Sequence, residues 1–439
     1  MSRAIPSCVL LPILATPFAV RGAPYVSCEP ASPVPSNSIV CAASCSTQAA
    51  DLIAPVLGEY DWFGSAVAVS GNVAIVGAPN ASVSGAAYVY ARQGNGWALQ
   101  AALLPSNPTG YFDEFGTSVA IHGNTAVVGA PGRQSRPYVP TGAAYVFERF
   151  GQSWREVAIL TSPLPLAGAW FGHSVGLHGS TAVVGAPYYY GDSTGASGAA
   201  FVFERRGDRW VEAAELSSPS SAPGPYDGFG WDVAISGPSV VIGAPSERVA
   251  GLDGAGAVYT FEPHGSRWEL QSSLVASDPV YLGHHGISVA IDGNSIIAGA
   301  VGAGSPGTGA AYTTGAAYVF ERTGQAWNEQ SKLVATDSNG PNTFGCDVEI
   351  RGGVAIIGGG WDALPAGGGL GSAYVFRRQH DDWNEEAKLV PSDPSPSDGF
   401  GFRVAICAGL FLVSAPFQDV LGVLDAGSVH VFEIGPSGN

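Results

Sequence analysis

The chain has 439 residues, of which 46% are hydrophobic and 13% charged, and its formal net charge is −17 at pH 7. This hydrophobic content is enough for a large buried core and argues against a disordered chain, despite 61 glycines and 32 prolines. The excess of acidic residues opposes binding to nucleic acid or to anionic membrane surfaces, and leaves a cationic partner or a bound cation open.

Residues 1–22 have the layout of a secretory signal peptide. Arg3 precedes an apolar run from Ala4 to Val20, and the best cleavage site follows Gly22. Prolines interrupt this run, which is at the short limit for a spanning helix. We therefore expect the protein to be exported, not inserted in a membrane, and to be secreted, periplasmic or held at the cell surface.

Residues 23–46 form a linker rich in Pro, Ser and Cys. Cys28, Cys41 and Cys45 suggest one local disulfide in an oxidising compartment. The remaining thiol could pair with another chain or carry a lipid, and both options stay open. A zinc site is disfavoured because four soft ligands at finger spacing are lacking.

From residue 47 to residue 435 the chain repeats one motif seven times. The marker is a Gly before a short apolar strand, and it recurs every 52 to 59 residues, at Gly64, Gly116, Gly172, Gly230, Gly286, Gly345 and Gly401. Phe precedes this Gly in every copy except the fifth, which has His285. A fixed period of this length predicts a ring or an array of identical units.

Each unit is predicted to contain four short strands, as in the segments FGTSVAIHG, NTAVVGAP, GAAYVFERF and SWREVAILT of the second copy. Two-residue turns such as Gly71-Asn72 join the first two strands and indicate antiparallel pairing. The first strand alternates bulky and small residues, which suits sheets stacked face to face. The predicted fold is all-β, a seven-bladed β-propeller of four-stranded antiparallel blades.

The ring is predicted to be closed by its own amino-terminal segment. The first three strands occur seven times, but the Trp-bearing fourth strand occurs only six times before the chain ends. The stretch from Gln48 to Leu57 aligns with the end of a fourth strand. We expect it to supply the outer strand of the last blade, which would leave no unpaired seam.

The repeated motif resembles the FG-GAP repeat of integrin α-subunit propellers and their bacterial relatives. Phe63-Gly64 followed by Gly77-Ala78-Pro79 carries the resemblance, and later copies repeat both elements. The resemblance implies a propeller used for adhesion, ligand display or scaffolding, with calcium bound by Asp-rich loops in several blades. The equivalent turns here, from SGNV to CAGL, lack both the length and the carboxylates. We therefore expect no cofactor and no metal site, with calcium left open only through the family resemblance.

Motifs that resemble catalytic sites are explained by the repeat. Gly172-His173-Ser174-Val175-Gly176 matches a nucleophile elbow, but the repeat register places Ser174 inside a strand, so no catalytic residue is predicted. The recurring Trp residues are interpreted as packing groups. Asp232, Asp347, Glu349 and Arg403 interrupt the small-residue face of the first strands and are expected to line the central channel, as an ion pair or as a ligand site.

Long loops are expected to share one face of the ring, because strand alternation brings together the loops after the second and fourth strands of every unit. Aromatic side chains beside carboxylates suit carbohydrate or protein recognition. The residues expected to be displayed there, and the candidate ligand-binding set, include Trp62, Asp61, Tyr111, Asp113, Trp170, Tyr188, Tyr189, Tyr190, Tyr226, Asp227, His284 and Trp361.

The leading hypothesis is an exported, monomeric and non-catalytic binding module that recognises a glycan or a protein through this face. A structural or scaffold propeller without a specific small ligand is the alternative. An enzyme is the third hypothesis and the least favoured, because the repeat leaves no space for a second domain.

Overall fold

The computed structural model describes residues 46–110, 112–136, 139–189, 197–220, 226–303, 314–337, 342–360 and 369–434. All regular structure in these ranges is β-strand, arranged as seven four-stranded antiparallel sheets and one short hairpin. The chain is therefore an all-β, seven-bladed β-propeller, and the fold prediction is confirmed. No helix in the described ranges is long and apolar enough to cross a membrane. The predicted signal peptide and almost all of the linker, including its three cysteines, lie outside these ranges.

The strands of blades 1 to 3 follow chain order from the channel to the rim. Strand β1 (Ser46–Leu52) precedes them in the chain and belongs to blade 7. Blade 1 contains β2 (Ala66–Ser70), β3 (Val73–Ala78), β4 (Ala86–Gln93) and β5 (Gly96–Leu103). Blade 2 contains β6 (Ser118–His122), β7 (Thr125–Ala130), β10 (Ala143–Phe150) and β11 (Ser153–Leu160), with the hairpin β8 (Gln134–Arg136) and β9 (Val139–Pro140). Blade 3 contains β12 (Ser174–His178), β13 (Thr181–Ala186), β14 (Ala199–Arg206) and β15 (Arg209–Ser217).

Blades 4 to 7 repeat the same order, except that β1 is the outer strand of blade 7. Blade 4 contains β16 (Val233–Ser236), β17 (Ser239–Ala244), β18 (Ala257–His264) and β19 (Arg267–Leu274). Blade 5 contains β20 (Val289–Asp292), β21 (Ser295–Ala300), β22 (Ala316–Thr323) and β23 (Ala326–Leu333). Blade 6 contains β24 (Val348–Arg351), β25 (Val354–Gly359), β26 (Ser372–Gln379) and β27 (Asp382–Leu389). Blade 7 contains β28 (Val404–Cys407), β29 (Leu410–Ala415) and β30 (Ser428–Ile434).

The ring is closed by β1, which pairs antiparallel with β30. The closure is confirmed, but its bounds differ from the expected Gln48–Leu57 segment: pairing begins at Ser46 and ends where Leu52 meets Val429. Pro55 lacks the N–H group that a longer ladder would require, and the chain leaves the sheet before it. Between these two strands, Asp51 Oδ1 lies 2.9 Å from His430 Nδ1.

The two glycines of the motif lie where the backbones of neighbouring blades come closest. Gly64 N–H donates to the Gly77 carbonyl oxygen of the same blade at 2.9 Å, and the corresponding bond recurs in every blade. A Cβ added to Gly77 would lie 1.9 Å from the carbonyl oxygen of Gly116 in the next blade. This close backbone approach is why the repeat requires glycine there.

The motif Phe is fully buried wherever it occurs, as Phe115 shows by packing edge to face on Tyr145 at 5.3 Å. In the fifth copy His285 takes this place, 5.2 Å from Tyr318. Burial lowers the pKa of His285 to about 4, so the ring is uncharged at neutral pH and substitutes for an aromatic side chain.

The hydrophobic core consists of layers between neighbouring blades. In the layer between blades 1 and 2, small Ala68 of β2 faces bulky Ile121 of β6. At the seam between blades 7 and 1, one hydrophobic cluster contains Val69 of blade 1 together with Ala405 and Leu52 of blade 7. The predicted packing of bulky faces on small faces is thus confirmed, and each blade depends on both neighbours for its core.

Candidate functional site

The two faces of the ring differ in loop length. Each hairpin turn that joins a first to a second strand, or a third to a fourth strand, has two residues, and all these turns lie on one face, the short-turn face. The connections after second strands have 7 to 15 residues and those into first strands 13 to 15, and they lie on the opposite face, the long-loop face. The expected segregation of long loops is confirmed.

Exposed large apolar side chains are concentrated on the long-loop side. Among the described residues of this kind, only Phe150 lies on the short-turn face, and only Leu99, Val157 and Leu270 lie within outer strands. The others lie in the connections of the long-loop face, including Tyr60, Trp62, Phe112, Trp170, Tyr226, Tyr281, Leu282 and Leu421. A one-sided distribution of this kind is typical of an interaction surface.

Among the described residues of this face, the largest aromatic group is the Trp170 cluster. It is formed by blades 3 and 4 from Trp170, His173, Tyr188, Tyr226 and Trp231. The Trp170 and Tyr188 rings meet edge to face at 4.8 Å, and the His173 and Trp231 rings lie 4.8 Å apart. Tyr226 joins the cluster through Tyr188 at 6.3 Å. Trp170 is 40% exposed and Tyr226 57%, so the cluster presents two aromatic rings to solvent.

A smaller group, the Trp62 cluster, lies across the ring at blades 7 and 1. Phe417 contacts both Trp62 and Phe402, with ring centroids 5.7 Å apart in each pair. The guanidinium of Arg403 lies over the Phe402 ring at 4.8 Å. Because His173, Trp231 and Phe402 also line the central channel, the two clusters flank its mouth.

The loops that carry these rings adopt strained backbone conformations. Trp62 and Trp170 both lie two residues before the motif Gly, with φ of 55° and 56°, in the left-handed region. Most other blades share this conformation. Glu114 and His284 have φ of 57° and 54° at the same position of blades 2 and 5, and Gly228 and Gly399 have positive φ in blades 4 and 7. A non-Gly residue there costs about 1 kcal/mol or more. The backbone conformation by itself therefore favours glycine at the two Trp positions.

Three candidates expected on the surface are buried instead. Asp113 is 1% exposed and accepts a hydrogen bond from the Thr109 N–H at 2.7 Å, so it closes its own loop. Asp227 is 5% exposed, and Tyr189 is 2% exposed and packs on Phe201 at 5.2 Å. For these three, the expectation of display on the face is wrong, because their loops turn the polar or aromatic group inwards.

The remaining candidates divide into partly exposed and undescribed residues. Asp61 is half-buried and accepts a hydrogen bond from the Gly58 N–H at 2.8 Å, the same loop-closing role as Asp113. His284 is half-buried, with Nδ1 3.2 Å from the carbonyl oxygen of Pro245. The candidates that lie outside the described residues are Tyr111, Tyr190 and Trp361.

The central channel encloses about 640 Å³ and is lined by the first strands of all seven blades. Asp232, Asp347, Glu349 and Arg403 all contribute to its wall, as the sequence predicted. Arg403 Nη1 lies 3.6 Å from Asp347 Oδ1. The carboxylates also tie blades together, since Val289 N–H donates to Asp232 at 2.7 Å and Val404 N–H donates to Asp347 at 2.6 Å.

The channel acids hold protons more tightly than free carboxyl groups. Burial raises the pKa of Asp347 to about 7, although the Arg403 charge opposes the rise. Burial and the nearby Asp347 charge raise the pKa of Glu349 to about 8. The pKa of Asp232 is raised by burial as well. At neutral pH the channel therefore carries less negative charge than its residues imply.

Stability is expected to fall as pH rises through this range. Glu349 titrates near its ordinary pKa in the unfolded chain and near 8 in the folded chain, so the folded state binds more protons between those values. The contribution of protonated Glu349 to the free energy of unfolding is therefore fully present at low pH and is lost as pH rises towards 8. Glu349→Gln should flatten the decline in melting temperature between pH 5 and pH 9. An equally steep decline in the variant would contradict this assignment.

The family relationship follows from the repeat itself. The FG-GAP repeat model matches seven consecutive segments, residues 46–90, 97–147, 154–203, 210–261, 268–320, 327–376 and 383–432. The chain belongs to the FG-GAP repeat family. Each match begins on an outer strand and continues into the next blade, so the first match begins on β1 and reproduces the closure described above. No curated protein matches the chain.

In this FG-GAP propeller, no group of three or more His, Cys, Asp or Glu side chains within the described ranges could hold a metal ion. The absence of calcium remains a prediction. Cys346 and Cys407, the two described cysteines, are free thiols. In coarse terms an FG-GAP propeller is a binding or scaffold module, and its specific role must be argued from its surface.

Four residues of the two aromatic clusters are not among those predicted from the sequence. His173, Trp231 and Phe402 directly follow the motif Gly of their blades, a position held by Ser65, Thr117, Ile287 and Cys346 in the others. Phe417 lies in the loop after β29. A search of the first residue after each motif Gly would have found three of them, because only in blades 3, 4 and 7 is that residue aromatic.

Proposed function

We propose that this FG-GAP propeller is an exported, monomeric and non-catalytic binding module that recognises a glycan or a protein through its long-loop face. The Trp170 cluster would be the central contact and the Trp62 cluster a second one. Export rests on the signal-peptide layout of residues 1–22, and would place the protein outside the cell, in a periplasm or at the cell surface.

The observation that carries the proposal is the pair of Trp residues held at positive φ. Trp62 and Trp170 keep large apolar rings partly exposed at loop positions where blades 4 and 7 use glycine. Packing on Phe417 and on Tyr188 offsets part of this cost, but both Trp rings stay more than a third exposed. Backbone strain of this kind clusters at binding and catalytic sites.

Glycan and protein recognition differ in the contacts they require. A sugar ring stacks on one or two exposed aromatic faces and hydrogen-bonds to nearby polar groups, which the exposed rings of Trp170 and Tyr226 would provide. A protein partner would bury a larger area and would also contact outlying groups such as Phe112 and Leu421, both almost fully exposed. A scaffold role would use neither set of rings.

The test is a glycan array and a panel of candidate extracellular proteins, each probed with the mature parent chain and four variants, one of which is Phe112→Ala. Trp170→Gly and Tyr226→Ala should weaken binding about tenfold or more, as expected for an aromatic contact at the centre of an interface. Trp170→Gly is expected to lower the melting temperature as well, because the packing lost on Tyr188 and His173 outweighs the relief of positive-φ strain. Phe150→Ala, which removes an exposed ring from the short-turn face, should change neither.

The arrays also separate the alternatives. Selective loss of a glycan signal supports a lectin-like module, and loss of a protein signal that also depends on Phe112 supports a protein receptor. No signal for the parent in either array, or equal loss in Phe150→Ala and Trp170→Gly, would contradict recognition through this face and leave the scaffold alternative.

A further inference from the structure

On the short-turn face, at the mouth of the channel opposite the aromatic clusters, two histidines of neighbouring blades face each other. His122 ends β6 of blade 2 and His178 ends β12 of blade 3. Their ring centroids lie 4.6 Å apart and their planes are inclined by 55°. His122 is exposed and His178 half-buried, so the pair is accessible from solvent.

Other blades use this strand position differently. Its side chain accepts a hydrogen bond from the turn Gly of the next blade in four cases: Ser70 from Gly123, Ser236 from Gly293, Asp292 from Gly352 and Cys407 from Gly71. Within the described part of the chain, neither His122 nor His178 makes a hydrogen bond, so their ring nitrogens are free to accept another partner.

The spacing of the rings fits a shared metal ion. With metal to nitrogen bonds of about 2.1 Å, two imidazoles on one ion place their ring centroids roughly 4.5 Å apart at a right angle and roughly 5.2 Å apart at a tetrahedral angle. The observed 4.6 Å lies at the lower end of this range.

We propose that His122 and His178 form a binding site for one divalent transition-metal ion, such as Zn²⁺, Ni²⁺ or Cu²⁺, that links blades 2 and 3. Imidazole nitrogen favours these ions over Ca²⁺ and Mg²⁺, which prefer oxygen. Water would complete the coordination sphere. Asp292, in the same mouth, supplies negative charge, whereas Arg351 opposes a cation there.

The site differs from the calcium loops of integrin-type propellers in both ligand chemistry and origin. It uses nitrogen donors from two blades in place of oxygen donors from one loop. It is also independent of the proposed recognition function, because it lies on the opposite face. An ion bound there would add a second polar link to the Arg205–Glu148 ion pair that joins blades 2 and 3 at 3.0 Å, and would stabilise the folded ring by mass action.

The experiment is isothermal titration of the full chain with NiCl2 and with ZnCl2, alongside His122→Gln, His178→Gln and the control His264→Gln. His264 ends β18 on the same face, and its side chain is 80% exposed. The parent and the control should bind one more equivalent of metal than either test variant, and only they should show the accompanying rise in melting temperature. Titration with CaCl2 should show no equivalent that depends on these histidines.

A spectroscopic readout separates this site from thiols elsewhere in the chain. The Cu²⁺ complex should show nitrogen hyperfine coupling in its electron paramagnetic resonance spectrum, and this signal should disappear in both test variants. Equal stoichiometry in the parent and both variants would overturn the proposal. So would a dissociation constant weaker than about 1 mM for the histidine-dependent equivalent, which corresponds to about 4 kcal/mol of binding free energy.

Discussion

Deletion of residues 1–52, which removes β1, is expected to lower the free energy of unfolding by roughly 5 kcal/mol or more. The deletion removes buried Leu52 and Ala50 from the layer that joins blades 7 and 1, and it removes every backbone partner of β30 along the outer edge. Because a domain of ordinary stability has only about 5–15 kcal/mol in total, a large share would be lost. Urea denaturation monitored by circular dichroism would measure the change.

The same deletion should also promote self-association, because β30 becomes an unpaired edge that carries Val429 and Val431. Size-exclusion chromatography would detect the resulting oligomers. Deletion of residues 1–44 leaves β1 intact and is the matched control, with parent-like stability expected. A synthetic peptide of residues 46–54 should partly restore the melting temperature of the shorter chain. Equal stability of the two deletions would show that β1 does not close the ring.

Gly77→Ala is expected to destabilise the protein by about 3 kcal/mol, the upper end of the usual cost of overpacking. The new Cβ would lie 1.9 Å from the Gly116 carbonyl oxygen and 2.9 Å from its carbon, and both atoms belong to backbone that is fixed by blade 2. Relief therefore requires blades 1 and 2 to separate. The lower entropy of alanine in the unfolded chain offsets only about 0.4–1 kcal/mol of this cost.

The matched control for Gly77→Ala is Gly96→Ala in β5 of the same blade. Its added Cβ would meet nothing closer than the Gln93 carbonyl oxygen at 3.9 Å, and the backbone there does not have a positive φ. We expect Gly96→Ala to leave stability unchanged or to raise it by up to about 1 kcal/mol. Similar melting temperatures for the two variants would contradict the close backbone contact between the motif glycines of neighbouring blades.

Blade 7 shows that the close backbone contact between neighbouring blades is not identical at every blade boundary. Ser414 holds the position of Gly77 there, is fully buried, and accepts a hydrogen bond from the Arg403 N–H at 3.0 Å. This seam joins blade 7 to blade 1 and is the one closed by β1. The repeat motif alone does not indicate that a side chain fits at this seam and not at the others.

Part of the candidate site could be predicted because the repeat fixes the direction of every strand. Once strands alternate, the long connections must share one face, and Trp62, Trp170 and Tyr226 in them are partly exposed. Residues inside the same loops could not be sorted in this way. Asp113 and Tyr226 both lie three or four residues before a motif Gly, yet one caps its own loop and the other faces solvent.

The sequence by itself determined the number of blades, the four strands of each and the closure of the ring, because period, turn residues and alternation are local properties that repeat seven times. Only the tertiary structure decided which loop residues are displayed, that the aromatic clusters flank the channel, and that His122 and His178 meet across two blades. The His122–His178 contact joins residues 56 positions apart and the Trp62–Phe417 contact residues 355 positions apart. Their distances depend on how neighbouring blades pack, which no local pattern in the chain encodes.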